Sequence, residues 1–161
     1  MRPANERETA YLREIAVYQF GREVGEVLLS SPLALYLHRS KRTGRIRYVL
    51  DQEKRLYLTL RASDNLFTLT LNAGLNILKN IARPWIAVEV KDEVSPFIEI
   101  GKDVFAKHVV HISNDLRPGD EVLVVGSDFR LLGIGKLMLS GAEVLSYKRG
   151  IAVRVRRGIK S

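Results

Sequence analysis

The fold is decided by the stretch from Val104 to Met138, VFAKHVVHISNDLRPGDEVLVVGSDFRLLGIGKLM. A short helix-like run opens it, and Arg117-Pro118-Gly119-Asp120 then breaks the periodicity and turns the chain. The continuous apolar run Val122–Val125 is typical of a buried strand. In the next run Gly133 and Gly135 lie two residues apart, and therefore on one face of a strand. Because that face lacks side chains, we expect another backbone to approach it closely.

The composition is that of a folded protein with room for one ordinary domain or two small ones. Of its 161 residues, 46% are hydrophobic and 27% are charged. No run approaches the ~18 apolar residues of a membrane helix, and MRPANERETA has no apolar signal-peptide centre, so we expect a cytoplasmic protein without a membrane partner. The absence of cysteine excludes disulfides and cysteine-based metal sites or nucleophiles.

The positive charge is concentrated in two blocks. The net charge is +8 and the pI is near 9.9, which favours an anionic partner. Arg39–Arg47 holds five basic residues and no acid, and Lys148–Lys160 holds six and no acid, whereas the rest of the chain has 15 basic against 18 acidic residues. Many charge runs only keep a surface hydrated, and that alternative stays open here.

The flanking segments alternate between helical and strand patterns. Asn72 is the expected N-cap of the second long helix, and alternation in the second strand predicts that Leu56, Leu58 and Leu60 face the core. The predicted elements are a helix from Asn5 to about Phe20 that ends at Gly21, a turn or short helix around Val24–Leu28, an apolar run Leu33–Leu37, a hairpin of Ile46–Leu50 and Arg55–Leu60, a turn at Ser63–Asn65, a strand Leu66–Leu71, a helix Ala73–Ile81, and barrel segments Trp85–Val90 and Ser95–Ile98.

Several of these motifs resemble known RNA-binding domains. VFAKHVV, RPGDEVLVV, LLGIGK and KRGIAVRV (Lys148–Val155) resemble the PUA domain, a small β-barrel. SKRTGRIRYVL and RASDNLFTLT resemble the pre-PUA domain of archaeal archaeosine tRNA-guanine transglycosylases. The resemblance implies an α+β chain with an N-terminal helix plus α/β pre-PUA domain at 1–83 and an RNA-binding PUA β-barrel at 84–161.

Catalytic motifs are missing from the sequence. The transglycosylases use aspartates in a (β/α)8 barrel of ~250 residues, and this chain is too short to contain one. It has no phosphate-binding loop, no dinucleotide fingerprint and no nucleophile elbow. His108 and His111 are three residues apart, but no metal-binding motif accompanies them. We therefore expect no enzymatic activity, no metal and no cofactor.

The candidate binding residues come from the charge pattern and from the resemblance. In the last strand Ile151, Val153 and Val155 share one face, so Arg154 and Arg156 are expected on the other. In similar PUA domains the surface between the first helix and the last strand holds the end of the tRNA acceptor stem. Carried over, this surface comprises Phe105, Ala106, Lys107, His108, Lys148, Arg149, Gly150 and Ile151. Arg42, Arg45 and Arg47 are expected on a flexible cationic turn that contacts RNA.

The resemblance implies a non-catalytic protein that binds tRNA at the acceptor stem and 3′ end and is linked to tRNA modification. Such a chain could be supplied in trans to a catalytic tRNA-modifying chain. Two alternatives remain at this point: a ribosome-assembly factor that binds ribosomal RNA, and a protein-interaction module that docks on a partner enzyme.

Overall fold

The structure is a computed structural model that describes residues 1–30 and 34–161. The chain divides into two compact units, Met1–Asn80 and Ile81–Ser161. Each combines helices with one β-sheet, so the predicted α+β class is confirmed. The predicted apolar run Leu33–Leu37 begins outside the described residues.

The N-terminal unit is an antiparallel sheet with two long helices. Its strands follow one another in chain order across the sheet, so each pairs with its sequence neighbour. Within the described residues its elements are β1 (Arg2–Pro3), α1 (Glu6–Leu28), β2 (Tyr36–Arg39), β3 (Ile46–Leu50), β4 (Leu56–Leu60), β5 (Phe67–Leu69) and α2 (Leu71–Asn80).

Helix α1 supplies one side of this unit's core. Its buried apolar residues recur every four positions, which gives one apolar stripe along the helix: Leu12, Ala16, Phe20, Val24 and Leu28. Asn5 and Glu8 form a capping box at its start, and Gly21, with φ 85° and ψ 167°, interrupts the helix where the sequence predicted its end. The Gln19 side chain bonds both backbone groups of Phe67, at 2.7 Å to the N–H and 2.9 Å to the carbonyl oxygen.

Two local predictions in this unit are wrong. Leu56 is exposed and Tyr57 is buried, because the register of β3 and β4 shifts between Val49 and Leu50 and a bulge at Tyr57 reverses the alternation. Asn72 does not cap α2, because the helix begins at Leu71 and the Thr70 hydroxyl accepts the Ala73 N–H at 3.1 Å. The Asn72 amide donates instead to the Asp51 carboxylate at 2.8 Å.

The C-terminal unit is a curled sheet in which β6 and β9 pair in parallel and the other pairs are antiparallel. The strands are ordered β7-β11-β10-β9-β6-β8. The elements are β6 (Ala87–Val90), α3 (Ser95–Glu99), β7 (Val104–Phe105), β8 (Val109–His111), β9 (Glu121–Val125), β10 (Leu131–Leu137), α4 (Gly141–Tyr147) and β11 (Ile151–Gly158), with 3-10 turns at Asp92–Val94 and Ala106–His108.

The central prediction for this unit is confirmed. The turn at 117–120 leads into β9, in which every residue is buried. A Cβ added at Gly135 would lie 2.2 Å from the Arg154 carbonyl oxygen, and one added at Gly133 would lie 2.8 Å from that of Arg157. The glycines therefore permit the close contact of β10 with β11. Two details differ: 95–98 forms the helix α3 instead of a barrel strand, and α4 was not predicted.

Candidate nucleic-acid interface

The two segments that the resemblance marks as an RNA surface lie side by side at one edge of the C-terminal sheet. β7 pairs with β11 in antiparallel register, which places Phe105 opposite Ile151. Just beyond this pair the Ala106 N–H donates to the Gly150 carbonyl oxygen at 2.9 Å. Residues 104–108 and 148–151 are distant in the sequence, and the pairing of these two strands brings them together.

A bend at the end of α4 carries Lys148 and Arg149. The helix begins with a capping box of Ser140 and Glu143 and ends at Lys148, which adopts the left-handed conformation with φ 53°. Gly150 also has a positive φ, 82°, a conformation open to glycine because it has no Cβ. The chain thus reverses direction before β11, and Lys148 and Arg149 are both exposed on the bend.

On the other side of the pairing, the 3-10 turn presents Lys107 and His108. Lys107 is exposed and His108 is half-buried. The His108 ring meets the Phe105 ring edge-on, with 6.3 Å between their centroids, and Phe105 is 46% exposed. The Ala106 side chain is buried, so it supports this surface from below without contributing to it.

A groove of about 540 Å³ opens beside Phe105 and His108. Phe97 and Lys102 line it together with the acidic residues Glu93 and Asp103, as do Val94 and Ile98. Exposed aromatic rings next to cationic groups suit an unpaired base and its phosphate. Phe97 and Lys102 were not predicted as site residues. The Ser95-Pro96 pair is compatible with a helix start, and that signal would have placed Phe97 outside a barrel strand.

Arg154 and Arg156 have different environments. Arg154 is exposed and lies opposite Lys136 of β10. Arg156 is the extra residue of a bulge, and its guanidinium donates to both carboxylate oxygens of Glu121, at 2.7 and 3.2 Å. Because the Glu121 side chain is only 1% exposed, Arg156 balances a buried charge. Arg154 and Lys136 therefore make the exposed cationic pair on this part of the sheet.

The β2–β3 turn and the residues beyond it carry the other predicted arginines, Arg42, Arg45 and Arg47. Backbone hydrogen bonds close this turn. The Gly44 N–H donates to the Ser40 carbonyl oxygen at 2.8 Å, and the Ser40 N–H donates to that of Arg45 at 2.8 Å. Arg42 and Arg45 are exposed, so the turn presents cations from a defined backbone.

Arg39 ties this turn to the start of α1 through Glu8. Its guanidinium donates to the Gly44 carbonyl oxygen at 2.7 Å and to the Glu8 carboxylate at 2.8 Å. The hydrogen bond from Arg2 holds the pKa of Glu8 at about 2; burial opposes this shift, and the bonds from Arg39 and the Asn5 N–H support it. Glu8 is therefore ionised at neutral pH and fixes Arg39 in place.

Family models match nearly the whole described chain. Residues 10–84 match the patch-forming domain C2 of tRNA-guanine transglycosylase, and residues 86–159 match the PUA domain. The chain therefore carries a C2 domain followed by a PUA domain, and we call it the C2–PUA chain. The surface formed by β7, β11 and the α4 bend thus lies in the PUA domain, and the β2–β3 turn lies in the C2 domain.

Curated relatives align along almost all of the C2–PUA chain. The tRNA-guanine(15) transglycosylase of Pyrococcus abyssi is 39% identical over 158 residues, which is 98% of this chain and 26% of the relative. That of Methanothermobacter thermautotrophicus is 37% identical over 147 residues, 91% of this chain and 22% of the relative. The chain thus spans about a quarter of the length of these relatives.

Solved structures share the fold of the C2–PUA chain. A hypothetical protein from Pyrococcus horikoshii OT3 aligns with a TM-score of 0.77 at 22% identity, covering 99% of this chain and 95% of that one. A PUA domain protein from Aeropyrum pernix K1, solved with tartrate, aligns with a TM-score of 0.70 at 18% identity, covering 99% and 86%. These similarities support the fold.

The described parts of the C2 and PUA domains contain neither a clustered metal site nor a membrane span. Within residues 1–30 and 34–161, no three His, Asp or Glu side chains are grouped so that they could hold a metal ion. None of the helices in these ranges is long and apolar enough to cross a membrane.

Proposed function

We propose that this chain is a cytoplasmic, non-catalytic RNA-binding protein that holds the acceptor stem and 3′ end of tRNA and serves tRNA modification. The observation that carries the proposal is the β7–β11 pairing, which joins Lys107 and His108 to the Lys148–Arg149 bend beside the groove that Phe97 and Phe105 line. We call this set the acceptor face.

The chemistry of the acceptor face suits a helical end with a single-stranded tail. Lysine and arginine bind phosphate oxygens and fix position without reading sequence. Phe105 and Phe97 are exposed aromatic rings on which an unpaired base can stack. Cations on both sides of the strand pair can bind the phosphates of the acceptor stem, and the groove can receive the single-stranded 3′ tail.

The relatives support the link to tRNA modification. Their name, tRNA-guanine(15) transglycosylase, describes enzymes that are about four times longer than the aligned part. The present chain matches the C2 and PUA domains. We therefore propose that it delivers or positions tRNA for a separate catalytic chain and does not itself exchange a base.

The test removes one cation from each half of the acceptor face. Lys107→Ala combined with Arg149→Ala should weaken tRNA binding roughly tenfold or more, because each charge-assisted phosphate contact contributes on the order of 1 kcal/mol. The matched control is Lys79→Ala with Arg117→Ala, which removes the same charge from exposed positions outside the face. The measurement is a binding titration at fixed, moderate salt.

Trimmed tRNA identifies the part of the RNA that is held. Wild-type protein should bind tRNA without its 3′ tail more weakly than intact tRNA, and the double variant should show little difference between the two. If both proteins bind both RNAs equally well, the acceptor face is not the site of the tRNA end. That result would favour a protein-docking role for this surface.

A further inference from the structure

The outer face of the N-terminal sheet differs in chemistry from its inner face. On the inner face one row of cross-strand partners is wholly apolar and buried: Leu37, Val49, Leu58 and Leu69. The residues next to these in each strand point to the outer face. They pair across the strands in the order His38, Tyr48, Thr59 and Thr68. These side chains range from half-buried to exposed, so the outer row is a solvent-facing band of aromatic and hydroxyl groups.

An aromatic pair with a guanidinium beside it lies at one end of this band. The rings of His38 and Tyr48 have centroids 5.7 Å apart, and Tyr48 is 38% exposed. The register of β2 and β3 shifts between His38 and Arg39, which makes Arg47 the extra residue of a bulge. Its guanidinium lies 5.8 Å from the centre of the Tyr48 ring.

The cations of the β2–β3 turn lie between His38 and Tyr48 in the sequence. Lys41, Arg42 and Arg45 are exposed, and the chain from Arg39 to Arg47 contains no acid. On the same sheet the Lys54 ammonium lies 5.2 Å from the centre of the Tyr36 ring. A ring surface at the edge of a basic turn has the two parts that single-strand binders combine, a stacking platform and a path for the phosphates.

A purely structural role explains only part of this arrangement. Aromatic cross-strand pairs stabilise sheets, and that accounts for the contact between His38 and Tyr48. Sheet stabilisation does not require the bulge that places Arg47 beside the Tyr48 ring, and it does not require the run of cations next to that ring. Arginine and tyrosine also occur often in protein interfaces, so the absence of any acid from residues 39–47 is what favours an anionic partner here.

We propose that Tyr48 and His38 stack an unpaired base of an RNA strand whose phosphates bind the β2–β3 turn. The inference rests on the proposed function, since it assumes that the chain binds RNA. It adds a base-stacking site on the C2 domain, separate from the acceptor face of the PUA domain. Thr59 and Thr68 supply hydroxyl groups that can bond the edges of the same or the next base.

The experiment separates stacking from charge. The probe is a short labelled oligoadenylate, with full-length tRNA measured in parallel. Tyr48→Ile keeps a strand-forming apolar residue and removes the ring, and should weaken oligoadenylate binding roughly fivefold or more. Tyr48→Phe keeps the ring and should bind as wild type does. Tyr18→Ile is the matched control, because Tyr18 on α1 is 83% exposed and lies outside this band.

Salt dependence gives a second readout. Tyr48→Ile should leave the slope of affinity against salt unchanged, whereas Arg45→Gln should lower it by about 0.7 for one lost single-strand phosphate contact. If Tyr48→Ile binds like Tyr18→Ile while wild type binds RNA, this inference is overturned and the acceptor face is unaffected. If wild-type protein binds neither RNA, the proposed function falls and this inference with it.

Discussion

Replacing Glu8 with glutamine should remove a pH-dependent part of the stability of the N-terminal unit. The Glu8 side chain is only 9% exposed. Its carboxylate accepts hydrogen bonds from both terminal guanidinium nitrogens of Arg2, from Arg39 at 2.8 Å and from the Asn5 N–H at 3.1 Å. A glutamine at this position would keep the shape of the side chain but lose the charge that these donors surround.

The size of the effect follows from the pKa of Glu8. Lowering that pKa from the ordinary 4.5 to about 2 corresponds to at most about 3.5 kcal/mol of stabilisation. Arg2 and Arg39 are 52% and 43% exposed, so water screens both pairs and we reduce the expectation to about 1.5 kcal/mol. Because folding lowers the pKa, this stability is complete above about pH 5 and is lost as the pH falls towards about 2.

The assay is urea unfolding followed by far-UV circular dichroism at several pH values and constant ionic strength. The gap in unfolding free energy between wild type and Glu8→Gln should be about 1.5 kcal/mol near pH 6 and should shrink towards zero near pH 2. Glu14→Gln, an exposed position on the same helix, is the control and should show no such gap. A gap that stays constant with pH would refute the assigned role of the carboxylate.

Two further predictions address the PUA strands and the absence of catalysis. Gly135→Ala should destabilise the protein by about 3 kcal/mol or more, since the new Cβ would lie 2.2 Å from the Arg154 carbonyl oxygen. The measurement is thermal unfolding. The control is Gly126→Ala, which should destabilise the protein far less because a Cβ there has no neighbour nearer than 3.4 Å. Purified protein should incorporate no labelled guanine into tRNA, and time-dependent incorporation by a preparation free of other enzymes would contradict the non-catalytic proposal.

Strong local signals allowed much of the fold to be predicted. The Pro-Gly turn before β9, the glycines of β10 and the break at Gly21 each depend on proline, which restricts φ, or on glycine, which has no side chain. In the predicted turn at Ser63–Asn65, Asn65 takes the left-handed conformation, with φ 59°. Where one residue type restricts φ or removes a side chain, the sequence is sufficient.

The errors arose where a distant partner or a one-residue shift decides the outcome. The bulge that buries Tyr57 is invisible in an alternating sequence, because only the register with β3 reveals it. The Tyr57 hydroxyl donates to the Leu28 carbonyl oxygen at 2.8 Å, a partner far back in the chain. Thr70 and Asn72 are both reasonable caps by type, and their tertiary contacts decide between them.

The same distinction applies to the candidate site. Charge clustering identified both basic blocks, because charge can be counted along the chain. It could not indicate that Arg156 is bonded to Glu121 or that Arg39 is held by Glu8, since those carboxylates are 35 and 31 residues away. Which arginines balance buried charge and which face solvent is a property of the fold.

The Gln19 side chain has a consequence for how the N-terminal sheet ends. β5 is an edge strand, and the amide of Gln19 bonds both the N–H and the carbonyl of Phe67, as a neighbouring strand would. Exposed strand edges are templates for aggregation, because foreign strands can add to their free backbone groups. Because the Gln19 side chain occupies the free backbone groups of Phe67, a foreign strand cannot pair there. The helix that covers the core therefore also protects this sheet edge against aggregation.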